Sequence, residues 1–236
     1  MSMNDTPAAE MMLLAGKQAQ IAWRRSTRAR RVSLKIDPCA GGVVITLPPR
    51  ASRRTGLALL RDHENWVAAR LAALPQAQMI AAGQMIPVCG EPHLIVAVPS
   101  GRGGAWIEER MIKVAGSPEF LSRRVSDALR QMAGRRFAEL AMEKAQTAGV
   151  RPKRVRVKDT RTRWGSCAPD GTLMFCWRLI MAPDFVQDYV VGHEVAHLRH
   201  MNHGPRFWAL TEQLTPHREA AGSWLDAHGQ ALLRIG

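Results

Sequence analysis

The sequence predicts an α+β fold in which a small β-rich part is followed by a mainly helical part. Up to residue 115, short stretches of alternating apolar and polar residues are separated by turns that contain glycine or proline, a pattern typical of β-strands. Beyond residue 116, apolar residues recur at helical spacing, and one such stretch carries "HEVAHLRHMNHGP" at 193–205. We therefore expect a loosely ordered tail at 1–20, a β-rich domain with one helix at 21–115, and a second domain at 116–236.

The β-rich domain contains a hairpin signal. "RVSLKI" (31–36) and "GVVITL" (42–47) alternate apolar and polar residues and flank the glycine-containing loop "DPCAGG". Ser52 then precedes a helical pattern over 53–74 and is expected to cap that helix. Two further strand-like stretches follow at 85–99 and 105–115. No internal repeat is evident in the sequence.

The second domain begins after a break at 116–118. A long helix is expected over 119–148, ended by Gly149. Asp184 then begins the helix that carries the histidines, because a carboxylate is favoured at the positive end of a helix dipole. The remaining elements are strand-like stretches at 153–160, 161–167 and 172–182, and two short helices within 206–233.

The charge of the chain predicts an acidic partner. The formal net charge is +13, gathered into two runs: six Lys/Arg without an acid at 24–35, and seven with one acid at 151–163. Such clusters bind the phosphates of DNA or RNA whatever the base sequence, and Trp23 and Trp164 beside them are placed to stack on bases. The other interpretation is that both runs are solvated strand faces.

Several features indicate a cytoplasmic protein. The four cysteines form no CxxC pair, and a chain of 236 residues needs no disulfides to build a core. Asp5 lies where a signal peptide has positive charge. Because no run of about 18 apolar residues exists, we expect no membrane span.

The stretch 193–205 predicts a metal site. His193 and His197 are four residues apart, so on a helix both imidazoles lie on one face and reach the same ion. With Glu194 they form the H-E-x-x-H arrangement, in which two histidines bind zinc and the glutamate acts as general base. We therefore expect Zn²⁺ as the cofactor.

A catalytic zinc ion usually takes three protein ligands, so a further histidine is needed. On a continuous helix His200 lies roughly 10 Å along the axis from His193, which is too far for both to bind one ion. The stretch 202–205 ends the helix, because Asn and Gly tolerate positive φ and Pro cannot continue a helix. We expect His203 to be the third ligand and His200 to lie beside the site or to be exposed.

Three stretches of this sequence carry a resemblance to a known family. "RWGSC" (163–167), "FCWRLIMAP" (175–183) and "DYVVGHEVAHLRHMNHGPRFW" (188–208) resemble the YgjP-like metallopeptidases, relatives of the SprT-like and Spartan zinc proteases. The resemblance covers most of 21–230. It implies a zincin fold for 116–236, a zinc ion on the three histidines, Glu194 as base, and a protein or peptide substrate. Gly192 departs from the pattern, which has a bulkier residue there.

Two residues are candidates for contact with substrate. Arg163 and Trp164 lie in the strand-like stretch 161–167, just before a turn, and in zincins an edge strand lines the cleft and pairs with an extended peptide. A solvated Arg163 is the other interpretation. The resemblance implies a peptidase that hydrolyses peptide bonds with zinc-activated water.

Two other function classes fit parts of the sequence. YbeY-like endoribonucleases space three histidines as at 193, 197 and 203, but that family has glycine where this chain has Glu194. A non-catalytic nucleic-acid-binding protein would explain the basic runs and leave the histidines without a role.

Overall fold

The computed structural model describes residues 9–98 and 103–236 and confirms the α+β class. The chain divides into two compact units, Met1–Ala77 and Gln78–Gly236. The boundary expected at 115/116 therefore lies at 77/78. The physical reason is burial: apolar side chains of the strands between 85 and 115, such as Ile95 and Ile112, belong to the same core cluster as Phe137 of the long helix.

The first unit is one four-stranded sheet with two helices. Its strands have the order β1-β2-β4-β3. The predicted hairpin is confirmed, since β3 and β4 pair antiparallel, while β2 and β4 are parallel. Its elements are β1 (Ala9–Leu14), β2 (Lys17–Arg25), β3 (Ser33–Asp37), β4 (Gly42–Leu47), α1 (Arg53–Asp62) and α2 (Glu64–Ala72).

Two expectations for this unit were wrong. Residues 9–20 are paired strands, because Leu14 and Ala19 are buried in the sheet core, whereas residues 1–8 of the expected tail lie outside the described residues. The single helix expected at 53–74 is two helices that meet at His63. The predicted cap is confirmed: Ser52 Oγ accepts a hydrogen bond from the N–H of Thr55 at 3.2 Å.

In its described residues, the second unit contains two sheets and four α-helices. A four-stranded sheet and a three-stranded sheet, in the orders β5-β6-β8-β7 and β10-β11-β9, precede and follow α3, and α4 to α6 complete the unit. The strand expected at 172–182 ends at Cys176, and a 3₁₀ turn occupies Trp177–Met181. The elements are β5 (Met85–Val88), β6 (Glu91–Val98), β7 (Gly104–Glu108), β8 (Met111–Ala115), α3 (Leu121–Ala148), β9 (Arg154–Lys158), β10 (Gly165–Cys167), β11 (Thr172–Cys176), α4 (Asp184–His197), α5 (Pro205–Leu214) and α6 (Arg218–Leu233).

The two four-stranded sheets share one topology, which the sequence did not reveal. In each, the first two strands form an antiparallel pair, the second and fourth are parallel, and the third and fourth are antiparallel. Each sheet is followed along the chain by a helix, α1 or α3. Because the shared property is hydrogen-bond order and not residue identity, a comparison of sequence letters misses it.

Helix α3 is the longest element and contributes a continuous buried stripe. Leu129, Ala133 and Phe137 are buried on it, and Gly149 ends it at φ 63°, the left-handed C-cap that the sequence predicts. Helix α4 packs against α3, α5, α6 and β10, so its histidine-bearing face is held from several sides. In the described part of the chain, no helix is both long and apolar enough to cross a membrane.

Candidate metal centre

Helix α4 carries the first three residues of the candidate site. Pro183 precedes the helix and Asp184 lies in its first turn, as expected for an anion at the positive end of the dipole. His193, Glu194 and His197 lie in its last two turns, Glu194 buried and both histidines half-buried. The spacing of one turn therefore places the two imidazoles on one face.

His193, His197 and His203 form a compact cluster, the histidine triad. One nitrogen from each ring lies within 4.8 Å of the other two, and the Nε2 atoms of His193 and His203 are 3.1 Å apart. Two nitrogens bound to one tetrahedral zinc at about 2.0–2.1 Å would be about 3.3 Å apart, so the triad fits such an ion. Among the described residues, the buried Nδ1 of His193 has no hydrogen-bond partner.

The chain turns back between His197 and His203, but without the expected left-handed residue. Gly204 is extended, with φ −78° and ψ 179°, and serves as N-cap of α5, while Pro205 is the first residue of that helix. The turn therefore comes from ending one helix and beginning another.

His200 contributes its backbone, not its ring, to the triad. Because a carbonyl oxygen only accepts, Nδ1–H of His197 donates to the His200 carbonyl at 3.0 Å. This bond fixes the tautomer of His197 and leaves its Nε2 lone pair for a metal ion. The buried ring of Phe207 stacks on His197, with centroids 4.4 Å apart, and also contacts His193 and His203.

The surroundings favour the neutral form of two triad imidazoles, His193 and His197. Burial lowers the pKa of His193 to about 4, with smaller contributions from His197, His203 and the positive charge of Arg218. Burial also lowers the pKa of His197, with His203 adding to the effect. Neutral imidazole is the form that binds metal, so the rings of His193 and His197 are in the metal-binding form at neutral pH.

Glu194 is held against β10. Its pKa is raised to about 7, chiefly by burial, while the charge of Arg163 and a hydrogen bond from the backbone N–H of Cys167 act in the opposite direction. Contact with β10 is so close that a Cβ built on Gly165 would lie 2.6 Å from Cγ and Oε1 of Glu194. Only glycine therefore fits at 165 while the carboxylate stays in place.

The two candidate substrate residues are placed differently. Arg163 is exposed, and its charge reaches Glu194. Trp164 is half-buried, and its ring lies against α6, where a Cβ on Gly229 would be 3.2 Å from it. The backbone carbonyl of Trp164 accepts a hydrogen bond from the N–H of Cys176 at 2.8 Å. The structure thus brings Arg163 to the site and packs Trp164 behind it.

A buried lysine anchors the helix that bears the triad. Lys144 of α3 donates to the carbonyl of Leu214 at 2.8 Å and pairs with Asp188 of α4 at 2.5 Å. The stem of this side chain passes Gly192, where a Cβ would lie 3.4 Å from Lys144 Cδ and 3.1 Å from Thr215. The small residue at 192 is thereby explained.

Sequence reasoning missed Arg218, Phe207 and Gly165. The guanidinium of Arg218 stacks on Trp208 at 3.6 Å from the ring centroid, and Trp208 lies 5.5 Å from His203. No sequence signal marks Arg218, which follows the triad by 15 positions. Gly165 was visible as a glycine within a strand pattern, which indicates a close approach of another group.

Comparison with known proteins decides the family. The model of the YgjP-like metallopeptidase domain matches residues 30–228. The chain belongs to this family. A YgjP-like metallopeptidase domain is a hydrolase of peptide bonds that requires a metal ion, and the matched range contains the whole triad and Glu194.

Two further comparisons add less. No curated relative matches the chain. Among solved structures, the metallopeptidase zymogen abylysin of Pyrococcus abyssi is similar at 21% identity over 42% of this chain and 97% of its own, with a TM-score of 0.36.

Proposed function

We propose that this YgjP-like protein is a zinc peptidase in which His193, His197 and His203 hold the metal ion. The observation that carries the proposal is the convergence of one nitrogen from each ring within 4.8 Å. Three neutral imidazoles with a fourth position for water are a common donor set of catalytic zinc. A softer or harder ion would favour thiolate or carboxylate donors instead.

Glu194 is the general base of the proposed reaction. A bound zinc ion supplies Lewis acidity, which activates water and polarises the scissile carbonyl. The Glu194 carboxylate, held by the N–H of Cys167, accepts the proton of the attacking water and passes it to the leaving nitrogen. In the metal-free protein, burial raises the pKa of Glu194 to about 7. A bound zinc ion would act in the opposite direction and favour the carboxylate, the form that accepts a proton.

Strand β10 is the proposed site of substrate pairing. It is an edge strand of its sheet and contacts Glu194, so an extended peptide added to it would lie across the metal centre. We assign Arg163 to contact with this peptide and Trp164 to fixing the strand by packing on α6. Four free cysteines accord with work in the reducing cytoplasm.

The endoribonuclease alternative is disfavoured by Glu194 itself. YbeY-like endoribonucleases have glycine at the position that Glu194 occupies in this chain. A non-catalytic binding protein would not need a glycine at 165 to admit the buried carboxylate of Glu194 beside β10.

Glu194→Gln tests the proposal, because the amide keeps the shape of the side chain but cannot accept a proton. We expect about one zinc per chain to remain by elemental analysis, and hydrolysis of unfolded casein to fall by about 10²–10⁴-fold. The matched control is Glu143→Gln, the same change at an exposed position of α3, which should leave both unchanged.

Two outcomes would overturn the proposal. Casein hydrolysis at the wild-type rate in Glu194→Gln would remove this carboxylate from the mechanism. Metal-dependent cleavage of RNA that survives the substitution, together with no casein hydrolysis by the wild type, would favour the nuclease.

A further inference from the structure

Three strand ends of the first unit meet at one edge of its sheet. β2 and β4 are parallel neighbours, so their carboxyl ends lie side by side, with Arg25 opposite Leu47. β3 is antiparallel to β4 and begins at the same edge, where Ser33 pairs with Thr46. The connection from β2 to β3 is fixed there too, because the N–H of Ser26 donates to the carbonyl of Leu47 at 3.0 Å.

This edge, called the arginine end below, combines two runs of arginine that are separate in sequence. Neither 24–36 nor 38–61 contains an acid. Its members are all exposed: Arg24, Arg25, Arg28, Arg30, Arg31, Arg50, Arg53 and Arg54. We propose that the arginine end binds the phosphate backbone of nucleic acid, independently of the proposed peptidase reaction.

Two of the eight arginines have structural partners. The guanidinium of Arg25 donates to the carbonyls of Pro48, Pro49 and Ala51 at 2.6–3.1 Å. Arg53 lies over the ring of Trp23 and 3.9 Å from Glu10. The other six pair with no acid in the part of the chain that the structure describes, so their charges remain available for a ligand.

The second sheet shows that the topology does not require these charges. Its two corresponding connections, 99–103 and 116–120, contain one arginine and one glutamate, whereas 26–32 and 48–52 contain four arginines and no acid. Like charges at one edge of a sheet repel each other, so they do not stabilise the folded state. The fold therefore does not explain why arginines are concentrated at the arginine end, whereas binding of an anionic partner does.

The chemistry of the cluster favours phosphodiesters over other anionic partners. Guanidinium groups bind phosphate through two parallel hydrogen bonds. Neighbouring strands are about 4.8 Å apart, so three strand ends span about 10 Å. Each strand of a DNA duplex carries one phosphate per about 3.4 Å of the duplex axis, so this span faces about three phosphates of one strand.

A membrane surface and an acidic protein fit less well. A membrane-binding surface carries exposed apolar side chains beside its cations. A protein–protein interface has an apolar or aromatic side chain that becomes buried at its centre. The exposed large apolar side chains described in this unit are Met11, Leu13 and Trp66, none of which lies within 24–54.

The test measures binding of fluorescent 20-nucleotide duplex DNA, single-stranded DNA and single-stranded RNA to the full chain by anisotropy between about 20 and 300 mM salt. We expect binding whose logarithm falls linearly with log salt, at about −0.9 per phosphate contact on duplex and −0.7 on single strands. Replacing Arg28, Arg30 and Arg31 by Gln should weaken binding at least tenfold at low salt and reduce the slope by about 3.

The matched control removes the same charge elsewhere. Replacing Lys17, Arg70 and Arg135, which are exposed and lie outside both basic runs, by Gln should leave affinity and slope within about twofold of wild type. Equal weakening by both triple variants would mean that only net charge matters, and would overturn the assignment. No binding at the lowest salt would also overturn it, as would equal or tighter binding of phosphatidylserine vesicles or polyglutamate at matched charge concentration.

Casein hydrolysis separates this proposal from the peptidase proposal. The Arg28/Arg30/Arg31 variant should hydrolyse casein at the wild-type rate, and Glu194→Gln should bind DNA like the wild type. If either casein hydrolysis or DNA binding is absent, the other can therefore still be measured. Circular dichroism and thermal unfolding of each variant establish that it is folded.

Discussion

The histidine triad and the arginine end each concentrate one kind of side chain, by different means. The triad comes from 11 consecutive residues and brings one nitrogen of each ring within 4.8 Å of the other two. The arginine end comes from two sequence runs joined by strand pairing, and its side chains are exposed. A site for one ion thus depends on individual atoms, whereas a surface for a polyanion depends on the sum of many charges. Loss of one residue should therefore be severe in the first and graded in the second.

The largest effect is expected from removing the ring of His203. His203→Ala should lower zinc content well below one per chain and reduce casein hydrolysis by more than about 10³-fold, since a three-histidine site loses a ligand. His200→Ala is the matched control: its carbonyl, which holds His197, is retained, so zinc should remain. If elemental analysis shows that His200→Ala loses zinc and His203→Ala keeps it, His200 and not His203 is the third ligand.

This outcome bears on how much of the site the sequence predicts. The spacing of His193, Glu194 and His197 needed only helix geometry, because neighbours on one helix face are set by 3.6 residues per turn. His203 followed from excluding a continuous helix. Arg218 and Gly165 belong to α6 and β10, and their approach to the site depends on tertiary packing that no local pattern encodes.

The fold was predictable to a similar depth. The hairpin β3–β4, the Ser52 cap and the Gly149 end were local signals and are confirmed. The domain boundary was not a local signal. It depends on the core in which the apolar side chains of β5 to β8 are buried, and this core is formed by residues far apart in sequence. The pairing of β2 with β4, which creates the arginine end, likewise joins residues that are far apart in sequence.

The next effect concerns the pH dependence of the chelated, metal-free protein. Between an ordinary glutamate pKa of 4.5 and the value of about 7 for Glu194, the folded state holds one proton more than the unfolded state. Stability therefore falls as pH rises through this window, by up to roughly 3 kcal/mol. Glu194→Gln lacks this proton, so its free energy of unfolding should exceed that of wild type increasingly from pH 4.5 to 7.

Urea unfolding of both proteins at several pH values measures this difference. Histidine protonation, which lowers stability as pH falls below the ordinary histidine pKa, is common to both proteins and cancels in the comparison. A difference that is constant with pH would show that burial does not perturb this carboxyl group.

A smaller effect is expected at Gly165, which touches the proposed base and no metal ligand of the triad. Gly165→Ala would place a Cβ 2.6 Å from Glu194, so the carboxylate must shift. A displacement of about 1 Å costs about 10²-fold in rate, and we expect this loss in kcat with zinc retained. Gly222→Ala, where a Cβ meets nothing within 4 Å, is the matched control on α6 and should keep full activity. A loss of zinc in Gly165→Ala would mean that β10 supports the metal site as a whole.

The smallest effect distinguishes two arginines within the arginine end. Arg25→Gln removes donors to the carbonyls of Pro48, Pro49 and Ala51 and should cost about 1–2 kcal/mol of unfolding free energy, with a small change in DNA affinity. Arg30→Gln makes the same chemical change at an exposed side chain and should alter stability by less than about 0.5 kcal/mol, yet reduce the salt slope of DNA binding by about 1. Urea unfolding and anisotropy on the same two preparations measure both quantities. If Arg30→Gln lowers the free energy of unfolding as much as Arg25→Gln does, the loop arginines stabilise the fold. The arginine end would then depend on individual contacts, as the histidine triad does, and not on the sum of its charges.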